Sequence, residues 1–585
     1  MRCLLPLGVL LIIRSFNGAA YAQEQPTAAL RQADTAYREG VAALNQNDLK
    51  TAQLKFETVV RLAPAAEQGH SALGAVLVRE GQWAAGTREL EKALSIKPDD
   101  NAARLNLAMV YSDTGAAAKA VPLFAKAKME AGRERSLGPA VLAAYARSLA
   151  AIGQARGAIE EMQEAVRQES GNPELRDELG TLYAEEHEWQ QAEQEFSAAI
   201  RLKDDFARAH MHLGFVFAAE QKPEAIGEWK KAYAASAGDP AIALAVGKAL
   251  GDAGDDADAV PILERAVELE PKSTAARYQL ALVLQRVDRV PEAIKLLKQV
   301  VDTEPHNYEA LTNLGMALAQ EHNATEGIPF LKRATALNPK DATAHQDLAA
   351  AYIQVNRVDD AIGELKIAIP LTPDAPQLHY DLGTAYKLQD DAADAIPELE
   401  KAEKLNPSGY EAPYVLGLLY MQVARYTEAA QQLETSLKLH PRNGEGWATL
   451  GSVYNKLERL PEAVTALREA IRQMPDQADS HLILASVLVK QHDTADAAQE
   501  RKVAADLMRQ HMNLQRAEVA TNSGKSLLEN GKLDDAITQF RDALAFDPTY
   551  AEAHLKLAEA LQKQGKAAEA AAERARADAL GTHVK

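Results

Sequence analysis

Seven prolines, Pro271, Pro305, Pro339, Pro373, Pro407, Pro441 and Pro475, follow one another at intervals of 34 residues, and Pro64 and Pro98 share the spacing. A period this strict describes a chain built by copying one supersecondary unit, because every copy must present the same turn at the same point for the next copy to stack on it. It replaces the first reading of 585 residues as about four ordinary domains. Placing the proline thirty-second in each unit gives starts at 33, 67, 101, 139, 173, 207, 240, 274, 308, 342, 376, 410, 444, 478, 517 and 551, which is sixteen units. The eighth place is glycine or alanine in all sixteen, from Gly40 and Gly74 to Gly524 and Ala558. The twentieth place is also small, from Ala52 and Gly86 to Ala570, with a one-residue deletion needed to reach Ala225 in the unit at 207. Two small places twelve apart let two antiparallel helices approach closely, as a helical hairpin requires.

Between the small places the apolar residues keep helical spacing, as Leu179, Tyr183, Phe196 and Ala199 do in one unit and Leu382, Tyr386, Leu399 and Ala402 in another. The prolines fall in the turn between units, where the missing N–H costs no helical hydrogen bond. The pattern of small at eight, aromatic or leucine at eleven, small at twenty, bulky at twenty-four, alanine at twenty-seven and proline at thirty-two resembles the tetratricopeptide repeat. The resemblance covers residues 33 to 581. It implies an all-α solenoid, a right-handed superhelix of antiparallel helix pairs, with the first helix of each pair lining a concave groove that binds protein segments.

The chain departs from that pattern in places. The fourth place, often tryptophan in the family, is tryptophan only at Trp447; the units at 139, 173 and 207 lack the terminal proline. In the unit at 478 the twenty-fourth place is Arg501, and five extra residues precede the next start. The expected organisation is a signal peptide over 1–22, a linker over 23–32, fourteen repeats over 33–505, an inserted helical joint over 506–516, two more repeats over 517–581 and a tail over 582–585. The stack is expected to be weakest at the joint.

The first 22 residues carry the order of an export signal: Arg2, an apolar run from Leu4 to Ile13, then Ala20-Tyr21-Ala22 before Gln23. Ten apolar residues are too few to span a bilayer. The expectation is therefore a periplasmic or secreted protein with no stable membrane insertion after cleavage. Cys3 is the only cysteine and precedes the apolar run, so the exported chain would have no thiol for disulfides, nucleophilic catalysis or zinc. A net charge of −19 sets the chain against phosphate backbones, and no nucleic-acid partner is expected.

No motif carries catalysis. Asn522 to Ser526 ends like a phosphate-binding loop, but Val519 stands where that loop needs glycine. His70, His210, His345, His379, His481 and His554 all occupy the fourth place of their units, and recurrence in one slot points to packing. His210 and His212 are two apart on a helix and diverge, unlike metal ligands at i and i+4. Acid pairs such as Asp99-Asp100 and Asp390-Asp391 fall between helices and are expected to be caps and solvated faces. The chain is expected to be no enzyme and to hold no cofactor or metal.

The resemblance places positions five, nine and twelve of each unit on the concave wall. From 207 to 421 they read Met211, Phe215, Tyr278, Leu282, Met316, Ile353, Tyr380, Tyr414, Leu418 and Met421. Aromatics and methionines on a groove wall favour capture of a partner; the alternative is that superhelical winding buries the stripe. The Lys/Asn clamp with which some relatives hold acidic C-termini is represented only by Asn106 and Asn313, without its basic places. The expected function is a scaffold or adaptor for envelope or secreted proteins, monomeric or assembled. The alternative is a periplasmic part of a polysaccharide-export or outer-membrane assembly machine.

Overall fold

The same turn joins the two helices of every repeat. The fifteenth place has a left-handed backbone in all sixteen units, with φ between 58° and 84°. Six of these residues are glycine; the others include Asn47, His187, Ala424 and Glu458. At Ala424 the turn closes with two bonds: the Ala424 N–H donates to the Met421 carbonyl at 3.1 Å and the Arg425 N–H to the Tyr420 carbonyl at 2.8 Å. This is the Schellman arrangement, which satisfies carbonyls that the helix end would otherwise leave bare.

A computed structural model describes residues 28–132 and 137–581. The signal segment over 1–22, the cleavage point at Gln23 and the tail over 582–585 lie outside the described residues. Thirty-one helices and no strands are found among them. They form two compact units, one ending at Thr303 and the other beginning at Glu304. In the first unit, helix pairs run from Ala28–Asn45 to Val290–Thr303; in the second they run from Tyr308–Gln320 to Ala567–Gly581. The first helix of a pair begins on the repeat start in thirteen of the sixteen units, so the register set by the prolines is the register of the helices. The first helix of all begins earlier, at Ala28.

The small places work as close contacts between the two helices of a pair. A Cβ on Gly315 would stand 2.5 Å from Cγ of Leu331, and one on Gly327 would stand 2.6 Å from the Gly315 carbonyl oxygen. Glycine is required there because the backbones themselves touch. Leu331 and its equivalents Phe56, Phe124, Phe196, Leu365 and Leu399 are buried at the twenty-fourth place and form the centre of each layer. In the second unit one continuous apolar core runs from Ala319 to Ala497.

The region of the inserted residues differs from an ordinary repeat boundary. A single 36-residue helix, Thr494–Glu529, contains the second helix of the repeat at 478, all of 506–516 and the first helix of the repeat at 517. The physical reason is compositional: no proline or glycine occurs from Thr494 to Ser523, so nothing breaks the backbone hydrogen-bond ladder. No residue from 505 to 516 is buried. The phosphate-loop look-alike sits within this helix, where a Cβ on Gly524 would meet Phe540 at 2.5 Å. Its glycine is a packing contact.

Candidate functional site

The candidate residues divide between the two units. In the first, Met211 and Phe215 project from Ala207–Ala219, and Tyr278 and Leu282 from Thr274–Arg286. The intervening repeat offers Leu244, Lys248 and Gly251 at the same places, so the apolar row is interrupted there. Phe215 is 43% exposed and packs its ring 5.7 Å from that of Trp229. The two rings border a cleft of about 530 Å³ that Ile226 and Ala249 also line.

In the second unit the row is denser. Met316 is 38% exposed on Tyr308–Gln320, and Ile353 is half-buried near the end of Ala342–Gln354. Tyr380 stands on Pro376–Leu388, while Tyr414, Leu418 and Met421 share Glu411–Gln422. These four and Ile353 are all half-buried; Ile353, Tyr380, Tyr414 and Met421 rest against the continuous core. Tyr380 and Tyr414 occupy the same place in consecutive repeats. Burial pushes both phenols above the ordinary tyrosine value, and the nearby carboxylate of Glu411 adds to the shift for Tyr380, as that of Glu445 does for Tyr414.

On the helices of Ile353, Tyr380 and Tyr414, and on the first helix of the next repeat, stand acids that sequence reasoning did not single out. Asp347 and Asp381 hold the sixth place of consecutive repeats, and Glu411 and Glu445 the second place of the two that follow Asp381. Burial first, and the Asp341 carboxylate second, push Asp347 up to about 6. Burial also raises Asp381, although its oxygens accept hydrogen bonds from Gln346 Nε2 at 2.6 Å and Gln377 Nε2 at 2.7 Å. In the first unit, by contrast, the wall acid Asp177 is held by Arg208 at 2.6 Å and His212 at 2.9 Å.

The six place-four histidines are buried and bound. His379 sets Nδ1 2.6 Å from a Glu398 carboxylate oxygen and Nε2 3.1 Å from the Pro373 carbonyl. His70, His210, His345 and His554 make the same two contacts with Glu89, Glu228, Glu364 and Glu573 and with the preceding turn, and His481 pairs with Glu500 at 2.5 Å. All but the His481 ring therefore tie their own second helix to the turn of the previous repeat. The Arg176 guanidinium does the same with Glu195 and the Ser170 carbonyl, and Trp447 Nε1 donates to the Pro441 carbonyl at 2.9 Å. The acid pairs cap helices as expected: Asp100 accepts from the Ala102 N–H at 3.0 Å and Asp391 from the Asp394 N–H at 3.2 Å.

Tetratricopeptide repeat family models match residues 71–139, 252–314, 318–382, 376–408, 414–478, 450–507 and 524–565, together more than half of the chain. The chain belongs to the tetratricopeptide repeat family. Over 208 residues it is 29% identical to the cellulose synthase operon protein C of Xanthomonas axonopodis pv. citri (strain 306), a stretch that is 35% of this chain and 13% of that protein. The chain thus matches only a small part of the length of this relative. Among solved structures, the Cut9–Hcn1 tetramer of the APC/C is similar at 16% identity over 91% of this chain and 97% of that one, with a TM-score of 0.34. MamA from Desulfovibrio magneticus RS-1 is similar at 23% identity over 29% of this chain and 95% of that one, with a TM-score of 0.28. No described helix of this tetratricopeptide repeat protein is long and apolar enough to cross a membrane.

Two of these features have a signature in the sequence. Every unit with histidine at place four has glutamate at place twenty-three, counting the unit at 207 with its deletion; of the other ten, only the units at 139 and 173 do. The left-handed turn is signalled by six glycines at place fifteen.

Proposed function

We propose that this chain is a non-catalytic scaffold that holds segments of other proteins, and that Tyr380 and Tyr414 anchor them. The observation that carries the reading is the half-buried state of those two rings in the same place of consecutive repeats, resting on the core with one side open. A rigid aromatic in that position offers contact area at small entropic cost. Leu418 and Met421 extend the surface on the helix of Tyr414, and Met211, Phe215, Tyr278, Leu282, Met316 and Ile353 are the equivalent positions elsewhere. The leader-like first 22 residues support action in the periplasm or outside the cell.

The test is the double variant Tyr380→Ala/Tyr414→Ala in the full chain, measured against a partner recovered from the host envelope. A buried aromatic anchor typically costs about 2 kcal/mol or more on truncation, so the double variant should weaken binding at least about thirtyfold, at about 1.4 kcal/mol per tenfold. Helicity and melting temperature should be nearly unchanged. Equal binding by variant and wild type removes the site, and loss of folding shows the tyrosines to be core. The match to the cellulose synthase operon protein favours one further reading, a part in a polysaccharide-export machine, which a polysaccharide partner in place of a protein would support.

A further inference from the structure

The wall that carries Tyr380 and Tyr414 combines apolar surface with carboxylates that have no cation. None of Asp347, Asp381, Glu411 and Glu445 forms an ion pair among the described residues, although ion pairs are common elsewhere on the chain, as at Arg286–Asp256 and Arg208–Asp177. Asp177 stands one place earlier in its repeat, at place five, and the place-six acid of that repeat, Glu178, is paired with Arg147 at 2.8 Å. Arg208, at place two of the next unit, reaches back to neutralise Asp177. The residues at place two after Asp347 and Asp381 are Gln377 and Glu411. The charged group that acts on Asp347 is Asp341, itself bonded to the Tyr308 hydroxyl. The lysines of the neighbouring first helices, Lys387, Lys456 and Lys490, sit in the last turn of their helices, and Lys490 is engaged with Asn455 at 2.7 Å.

We propose that this wall receives a protein segment that places arginine or lysine side chains beside apolar ones, the cations meeting Asp347 and Asp381 and the apolar groups meeting Tyr380, Tyr414 and Leu418. This rests on the reading of the two tyrosines as a binding face. Charge complementarity selects the partner: the wall supplies half-buried negative charge and aromatic faces, and both attract a guanidinium or ammonium. The aliphatic surface of Leu418, Met421 and Ile353 selects a peptide over a cationic sugar polymer, which has no apolar side chains to lay on it. A half-desolvated carboxylate without a counter-ion works against the fold, and groups of this kind gather where a ligand completes them. The raised Asp347 acts in the same direction.

The experiment uses the full chain, a fluorescein-labelled peptide of about twelve alternating Arg and Leu residues, its Glu–Leu counterpart and a chitosan oligomer, with anisotropy read at physiological salt. The Arg–Leu peptide should bind and the Glu–Leu peptide should not. Asp347→Asn/Asp381→Asn should weaken binding about tenfold or more and should leave the melting temperature unchanged or higher, an opposition of signs that a structural role would not give. Asp534→Asn/Asp535→Asn, which removes the same charge from a distant helix start, should change binding less than about twofold. Equal weakening by the two double variants would reduce the effect to general charge and overturn the proposal. So would preference for chitosan, or binding that survives loss of Asp347 and Asp381. If Tyr380→Ala/Tyr414→Ala weakens binding of the envelope partner while the aspartate pair does not, the aromatic face stands and the cationic class falls. If neither acts on that partner, both fall.

Discussion

Replacing His379 with leucine tests whether the ring of place four holds one repeat to the next. The side chain is 2% exposed and spans Glu398 at 2.6 Å and the Pro373 carbonyl at 3.1 Å. Leucine fits the slot, since Leu142 and Leu311 fill it, fully buried, in other repeats. The cost is therefore that of two lost polar contacts, not that of a cavity. An acceptor left bare costs about 1–3 kcal/mol; Glu398 still reaches water, and the leucine adds apolar burial, so the net loss should be about 2 kcal/mol. Stability in a repeat array is local, so the measurement is amide hydrogen exchange across Pro376–Leu388, which should speed up about thirtyfold at about 1.4 kcal/mol per tenfold. Leu311 is accompanied by Phe330 at place twenty-three. The double variant His379→Leu/Glu398→Phe copies that solution and should recover about half of the loss or more. Unchanged exchange in the single variant refutes the strut, and a double variant as costly as the sum of its singles refutes the pairing with Glu398.

Three further outcomes follow from the geometry. Ala424→Gly removes a side chain from a left-handed backbone, φ 59°, and should stabilise its repeat by about 0.5–1 kcal/mol after the entropy of glycine is counted, seen as slower exchange in Glu411–Gln422. Asp347 is pushed up to about 6 in the folded chain from 3.8, so the unfolded chain binds fewer protons between those values and stability should fall as pH rises from about 4 to 6; Asp347→Asn should flatten that slope and, after discounting for partial solvent screening, gain about 1 kcal/mol at pH 7. Amides from 505 to 516, a stretch with no buried residue, should exchange faster than those of Pro376–Leu388, and equal protection would refute a weak joint.

The period, the sixteen units and the helix starts were legible because they rest on residues that sterics dictate: glycine or alanine where backbones touch, proline where no N–H is needed. The turn was less legible because its left-handed place accepts histidine, glutamine, alanine and glutamate as well as glycine; two hydrogen bonds and the packing of the flanking helices impose the conformation. The pairing of His379 with Glu398 spans nineteen residues, and either residue alone reads as an ordinary helix position until the helices fold back on each other. The continuity of the long helix is hard to read because a missing proline is a weaker signal than a present one. Of the candidate groove, the aromatic row came from the family resemblance, whereas Asp347 and Asp381 stand out only once their lack of a cation is seen against Glu178, the acid of the same place that Arg147 holds.

The 36-residue helix also changes how the second unit shares its stability. In a linear array each repeat is held by its own folding term and by the interface with its neighbours, in the manner of a one-dimensional chain of coupled spins. Two helices on one axis cannot pack face to face, so at residues 505–516 the coupling passes through backbone continuity alone. Helix propagation carries order across such a link at small free energy per residue and carries almost no burial. The repeats at 517 and 551, with small cores of their own, then form a short block in series with a long one. A perturbation on one side should decay at the link, and melting should register two correlation lengths where an unbroken stack would show one.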